Sequence, residues 1–161
     1  MDFDGDGHLE LFTTNGHVYP QADEELTGTR YAQPDSLWSL GPGQRAVPVD
    51  PSGERSVLAL ERGTRGSAVG DINGDGRPDL LIPAIDAPAS LGMNNTGSEN
   101  AGLCLRLLGP LEKTEDSPRT PRDGTGARCV LVVGEGPLEH ALLSESYTAA
   151  GYQSSSSPWL H

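Results

Sequence analysis

The sequence predicts an all-β protein built from many short strands joined by turns, and three observations lead there. Its 21 glycines and 13 prolines stand well above average usage without any collagen-like period. No apolar stripe of helical period persists for three turns anywhere in the chain. One internal repeat is visible, an acidic glycine-rich loop followed by an apolar strand, and its two copies lie 69 residues apart, at Asp2 and Asp71. That offset suits a blade-sized unit carrying an insertion.

Taken in order, Leu9 to Thr14 reads as a strand leaving the first loop, rich in β-formers and free of breakers. Asn15-Gly16 is a turn signal. Tyr19 to Asp35 is polar, carries Pro20 and Pro34, and reads as a loop or insertion. Asp35 to Leu40 is a short strand holding Trp38, stopped by Gly41-Pro42-Gly43, and Ser56 to Leu60 alternates like another strand. Gly66 to Gly70 enters the second loop, Leu80 to Ile85 leaves it, and Ala89 to Met93 is a further strand before the polar stretch Asn94 to Asn100. Leu103 to Leu108 places leucines at alternate positions, with Cys104 and Arg106 on the opposite face. Pro110 to Gly126 is a long polar connection, and Ala127 to Val133 is the most apolar strand. Leu138 to Leu143 fits a strand or a short helical turn, and the serine run Ser154 to Ser157 offers nothing to pack. A boundary is expected near Gly97 to Gly102, giving two domains over residues 1–98 and 99–161.

Charge narrows the function. A net charge of −12 argues against nucleic acid and anionic membrane as partners, and no apolar run is long enough to span a bilayer. No signal peptide is read, though the chain opens directly inside a loop. Seven of the 23 carboxylates lie in the two loops: Asp2, Asp4, Asp6, Glu10, Asp71, Asp75 and Asp79. Cys104 and Cys129 form no disulfide framework, and strand parity favours two separate thiols.

In each loop the side-chain oxygens fall at positions one, three, five and nine. These are Asp2, Asp4, Asp6 and Glu10 in the first loop, and Asp71, Asn73, Asp75 and Asp79 in the second. Calcium prefers six to eight oxygen ligands, and such a loop can wrap it. The carbonyl of position seven, His8 or Arg77, would add one more oxygen. The glycines between, Gly5 and Gly7, then Gly74 and Gly76, allow the turning backbone its positive φ. An EF-hand is excluded, because position twelve is Thr13 or Ile82 rather than a bidentate Glu, and strands flank both loops. Magnesium suits so many carboxylates less well, and zinc would want more than the lone His8. Asp-Asn-Gly clusters also make good turns without any metal, but two copies with matching ligand positions favour the metal reading. The second loop, with strands on both sides, is expected to be the better ordered site.

The strings DFDGDGHLELF and DINGDGRPDLLI resemble the calcium loops of FG-GAP/VCBS-type β-propeller repeats, as in integrin α-subunits. RGSAVGDINGDGRPDLLIPA, MNNTG, LCLRLLG, RDGTGARCVLVVG, SYTAAG and the terminal WLH together resemble the ASPIC/UnbV class, as does TTNGHVYPQAD after the first loop. That class comprises secreted proteins related to cartilage acidic protein, with a calcium-binding propeller and a small C-terminal β-domain. The resemblance implies a partial β-propeller of one to two blades followed by a truncated C-terminal domain. It also implies a location outside the cell or at its surface. Only Met1 precedes the first loop, and the family usually runs on past the position of His161, so a fragment is expected. Pro121 stands before Arg122-Asp123 where the family usually has Asn.

No catalytic motif is present: GxSxG, HExxH and a P-loop are all missing, and the four histidines pair with no nucleophile in sequence. Gly41-Pro42-Gly43 mimics a dinucleotide fingerprint only loosely, since Pro42, Pro48 and Pro51 prevent the helix. Asn94-Asn95-Thr96 matches the N-glycosylation pattern. The expected function is therefore a non-catalytic, calcium-binding interaction module that meets a protein or glycan partner. The alternative is an accessory or catalytic module of a secreted or secondary-metabolite enzyme system.

Overall fold

The computed structural model describes residues 1–24, 28–41, 43, 45–49, 56–85, 87–97, 102–110, 121–133, 140–147, 151, 154, 155, 157, 159 and 160. The described residues are all-β, with two short 3-10 turns and no α-helix. Among them no helix is long and apolar enough to cross a membrane. Two three-stranded antiparallel sheets make up the N-terminal part. The first contains β1 (Glu10–Thr13), β2 (Ser36–Ser39) and β3 (Val47–Val49); the second contains β4 (Ala68–Gly70), β5 (Asp79–Ile82) and β6 (Ser90–Gly92). In the C-terminal part β7 (Leu105–Arg106) pairs with β10 (Trp159–Leu160), and β8 (Arg128–Val133) pairs with β9 (His140–Glu145).

The repeat seen in sequence is a repeat in space. β1 and β5 are equivalent strands at the 69-residue offset. Gly70 lies opposite Asp79 in the second sheet. At the corresponding place in the first, Glu10 N donates to Met1 O at 2.7 Å and the Met1 amino group donates to Glu10 O at 3.2 Å.

Three expectations are corrected, and one strand lies where none was expected. Ser56 to Leu60 is not a strand: Val57–Ala59 forms a 3-10 turn whose entry is capped by Ser56 Oγ accepting from Leu58 N at 3.3 Å. Four residues of alternation fit one such turn as well as a strand, and the serine cap decides for the turn. The unexpected strand is β3; Pro48 cannot donate to a ladder and is tolerated because β3 lies at the end of its sheet. The expected strand Leu103 to Leu108 is only two residues long, Leu105–Arg106, and Leu103 is 49% exposed. The serine run does engage the fold, with Ser157 N donating to Val69 O at 2.7 Å on the outer edge of β4. Leu138 to Leu143 resolves as a strand from His140 onward. Cys104 and Cys129 are separate free thiols. The boundary expected near Gly97 to Gly102 falls on residues 98–101, outside the described residues, as does most of the Pro110 to Gly126 connection.

A polar seam joins the two repeat sheets. Gln33 and Arg62 exchange backbone hydrogen bonds of 3.1 and 3.2 Å, and Thr64 N donates to Asn15 O at 3.1 Å. Thr64 Oγ1 reaches both Asn15 O, at 2.7 Å, and Asp35 Oδ1, at 2.5 Å. Strand parity then shows which faces meet. Asp35 shares its face with Leu37, and Thr64 lies opposite Ala84, whose face is that of Leu80 and Ile82. Among the described residues the buried apolar ones are Leu37, Leu80 and Ile82, with Leu58 of the 3-10 turn and Ala22. Val57 lies over the same face of the second sheet; a Cβ on Gly92 would stand 2.7 Å from its Cγ2, so glycine there admits the turn.

Candidate metal centres

The two loops share one hydrogen-bond frame. Position one accepts from the amides of positions four and six: Asp2 from Gly5 N (2.7 Å) and Gly7 N (2.9 Å), Asp71 from Gly74 N (2.7 Å) and Gly76 N (2.9 Å). Position three accepts from position five, Asp4 from Asp6 N at 3.2 Å and Asn73 from Asp75 N at 3.0 Å. Position five accepts from position seven, Asp6 from His8 N at 2.8 Å and Asp75 from Arg77 N at 2.9 Å. Position nine reaches back to position two, Glu10 Oε2 to Phe3 N at 2.7 Å and Asp79 Oδ2 to Ile72 N at 2.9 Å. Short polar side chains make such bonds readily because they reach their own backbone two or three residues on. The turn closes only with φ of 73° and 87° at Gly5 and Gly7, and 76° and 84° at Gly74 and Gly76. Side-chain-bearing residues adopt those angles at a cost.

Each loop thereby fixes its carboxylates on its own backbone, with lone pairs left for a cation. In the first, one oxygen each from Asp2, Asp4 and Glu10 lie within 4.8 Å of one another. Oxygens bound to one calcium ion at about 2.4 Å can stand no more than about 4.8 Å apart, so this trio fits such an ion. Among the described residues no second trio of this kind is brought together. In the second loop Asp75 Oδ2 is held instead by Arg77 Nη2 at 2.6 Å and Asn73 Nδ2 at 2.9 Å. The carboxylates of the first loop are thus the ones drawn together, while the second loop is the one expected to be better ordered. Its carboxylates are backed by strands on both sides, but an internal cation occupies one of them. Asp6 and His8 are exposed and stand outside the converged trio.

Electrostatics separate the loops in the same way. Burial raises the Glu10 pKa, its bond from Phe3 N opposes this, and the nearby charges of Asp4, Asp2 and Asp6 raise it further. The Asn73 amide and then Arg77 lower that of Asp75. A raised carboxylate pKa means that the folded chain takes up a proton more readily than the unfolded one. Its ionised form therefore weakens the fold above that pKa, and the loss is relieved as pH falls through it. The Glu10 carboxyl resonance is accordingly expected to titrate above an ordinary glutamate in the metal-free protein, and to move down when a divalent cation is added. A midpoint at or below the ordinary value would contradict the crowding of charge in the first loop.

Asn94 is the residue whose role sequence reasoning missed. It is 1% exposed, and it ties the loops together. Its backbone N donates to Asp79 Oδ1 at 2.8 Å, its carbonyl accepts from Arg77 Nε at 3.0 Å, and its Nδ2 donates to Phe3 O of the first loop at 2.8 Å. Thr96 completes the tie, with Oγ1 2.6 Å from Asn94 Oδ1 and 3.3 Å from Phe3 O. The N-glycosylation pattern at this place is a structural motif, because the amide nitrogen a glycan would need is buried and engaged. The only sequence signal for the role was the position of Asn94 just after the strand that follows the second loop. The C-terminal segment also comes close. A Cβ on Gly102 would lie 3.4 Å from Gly76 O, and the Cys104 thiol pKa is raised by burial and then by the Asp71 charge.

A family model described as an FG-GAP-like repeat matches residues 2–82, half of the chain and both loops. No curated protein and no solved structure matches the chain.

Proposed function

This chain belongs to the FG-GAP-like repeat family, and from that premise we propose that it is a calcium-stabilised, non-catalytic interaction module of a secreted or cell-surface protein. Repeats of this family suggest an extracellular, integrin-like β-propeller module. The observation that carries the calcium assignment is the hydrogen-bond frame the two loops share, five side-chain-to-amide bonds that recur at an offset of 69 residues. The first ion would be held by Asp2, Asp4 and Glu10, with Asp6 and the His8 carbonyl available to complete the shell. The second would be held by Asp71, Asn73, Asp75 and Asp79 with the Arg77 carbonyl, once Asp75 turns from the Arg77 guanidinium. Calcium supplies charge neutralisation and cross-links each loop; the chain supplies the oxygens and the glycine turns. We assign residues 1–98 to the propeller repeats and 99–161 to a C-terminal domain of the ASPIC/UnbV class, on the motifs quoted above. A protein or glycan ligand would meet the ordered loop surface.

Calcium titration of stability tests the reading. Two bound ions are expected, the first loop the tighter, and each site should add roughly 2.7 kcal/mol when calcium is about a hundredfold above its dissociation constant. Asp2→Ala should remove the tighter class and Asp71→Ala the weaker, each leaving one ion bound by calorimetry. Absence of stabilisation at millimolar calcium, or identical gains in both variants and the parent chain, would end the assignment.

A further inference from the structure

The C-terminal part of the chain meets the second loop from two sides, and its two approaching segments are joined to each other. On the entering side, Ser157 N donates to Val69 O at 2.7 Å, and a Cβ on Gly70 would stand 3.2 Å from Ser157 Cβ. A Cβ on Gly151 would lie 3.6 Å from Ser67 O, so the chain from 151 to 157 runs beside β4 in the same direction. It covers the edge that β5 leaves free. That edge ends at Gly70, one residue before Asp71, the first ligand position of the loop. On the far side Gly102 comes against the Gly76 carbonyl, and the Asp71 charge reaches the Cys104 thiol. β7 then pairs with β10, Leu105 opposite Leu160 and Arg106 opposite Trp159, so the two segments form one unit. The backbone atoms they meet are set by the loop itself. Asp71 Oδ1 accepts from Gly74 N at 2.7 Å and Asp71 Oδ2 from Gly76 N at 2.9 Å, so one carboxylate fixes both the strand end and the turn that carries the Gly76 carbonyl.

We propose, on the calcium reading of the second loop, that this loop is the seat of a clasp: the β7–β10 unit and the segment before it close on the loop, and calcium binding there and closure favour each other. An ion on Asp71 holds the end of β4 and the Gly76 turn in one arrangement, the arrangement that Ser157 and Gly102 meet. A closed clasp in turn restrains the loop before the ion arrives, so less ordering remains for binding to supply. The coupling is reciprocal: closure tightens the ion by the same factor by which the ion tightens closure. The second site thereby differs in role from the first, whose tie runs to Asn94 and Thr96 within the repeat sheets. Calcium in the second loop governs how firmly the C-terminal part is held to those sheets.

The test is hydrogen exchange on the whole chain with and without calcium, beside calorimetry of calcium binding. Calcium is expected to slow exchange of the Ser157 amide and of the β7–β10 pair about fivefold or more, the lower end of ordinary coupling between sites. The slowing should appear in the parent chain and in Asp2→Ala, and be lost in Asp71→Ala. The reciprocal effect is read from a cross-link. Gly70→Cys with Ser157→Cys, in a chain whose Cys104 and Cys129 are replaced by serine, sets two Cβ atoms close to the spacing a disulfide takes. Oxidised, this chain should bind its weaker ion about fivefold or more tighter than the same chain reduced. No heat of calcium binding to the parent chain would overturn the calcium reading and the clasp with it. Two ions bound without slower exchange at the clasp, slowing that survives in Asp71→Ala, or equal affinities in the oxidised and reduced chain would each overturn the clasp alone. So would a cysteine pair that does not cross-link, since Gly70 and Ser157 would then not be neighbours.

Discussion

Replacing Asn94 with alanine is expected to cost about 3 kcal/mol of folding free energy, because buried hydrogen-bonding groups left without partners cost about 1–3 kcal/mol each. The side chain donates to Phe3 O and accepts from Thr96 N at 3.0 Å and from Thr96 Oγ1. Truncation strands the Thr96 amide and leaves Phe3 O with only the longer Thr96 bond. Thr96→Val, which keeps the Asn94 bond to Phe3, should cost about 1 kcal/mol. Asn94→Asp should be worse than alanine, since it buries a carboxylate close to Asp79 and puts an acceptor where Phe3 O needs a donor. The signature beyond stability is local: the amides of Gly5 and Gly7 should exchange faster with solvent in Asn94→Ala than in the parent chain, although neither touches Asn94. Urea unfolding that places Asn94→Ala within about 0.5 kcal/mol of the parent, the range of an ordinary surface change, would mean that the loops do not depend on the tie.

What could be read from the sequence follows from how local each feature is. The loops were legible because every bond in them spans at most seven residues and rests on glycines whose spacing is fixed. The equivalence of β1 and β5 was legible for the same reason, as a constant offset. β3 was hidden because Pro48 argues against a strand unless its place at the sheet end is known. The turn at Val57–Ala59 was hidden because its residues alternate like a strand, and its packing over Gly92 spans 35 residues of sequence. Asn94 was hidden by distance of a different order, since its partner Phe3 lies 91 residues away. Nor does composition indicate which carboxylates converge. The second loop resembles the family pattern as closely as the first, yet Arg77 at position seven draws Asp75 to itself, where the first loop has His8 at the same position.

The face each repeat buries is the property least available from sequence, and it carries the second large expected effect. Leu80→Ala is expected to cost about 2–5 kcal/mol, as for other buried leucines truncated in a core. Leu11→Ala, at the equivalent position, should stay within about 0.5 kcal/mol in dilute protein. On the other face the order inverts: Leu37→Ala should cost about 2–5 kcal/mol and Leu91→Ala within about 0.5 kcal/mol. Both strands offer leucine or phenylalanine on both sides, so side-chain chemistry alone predicts similar losses at all four sites. Only the joint between the sheets breaks that symmetry. Equal costs at Leu11 and Leu80 in urea unfolding at low concentration would mean that the sheets do not meet through these faces.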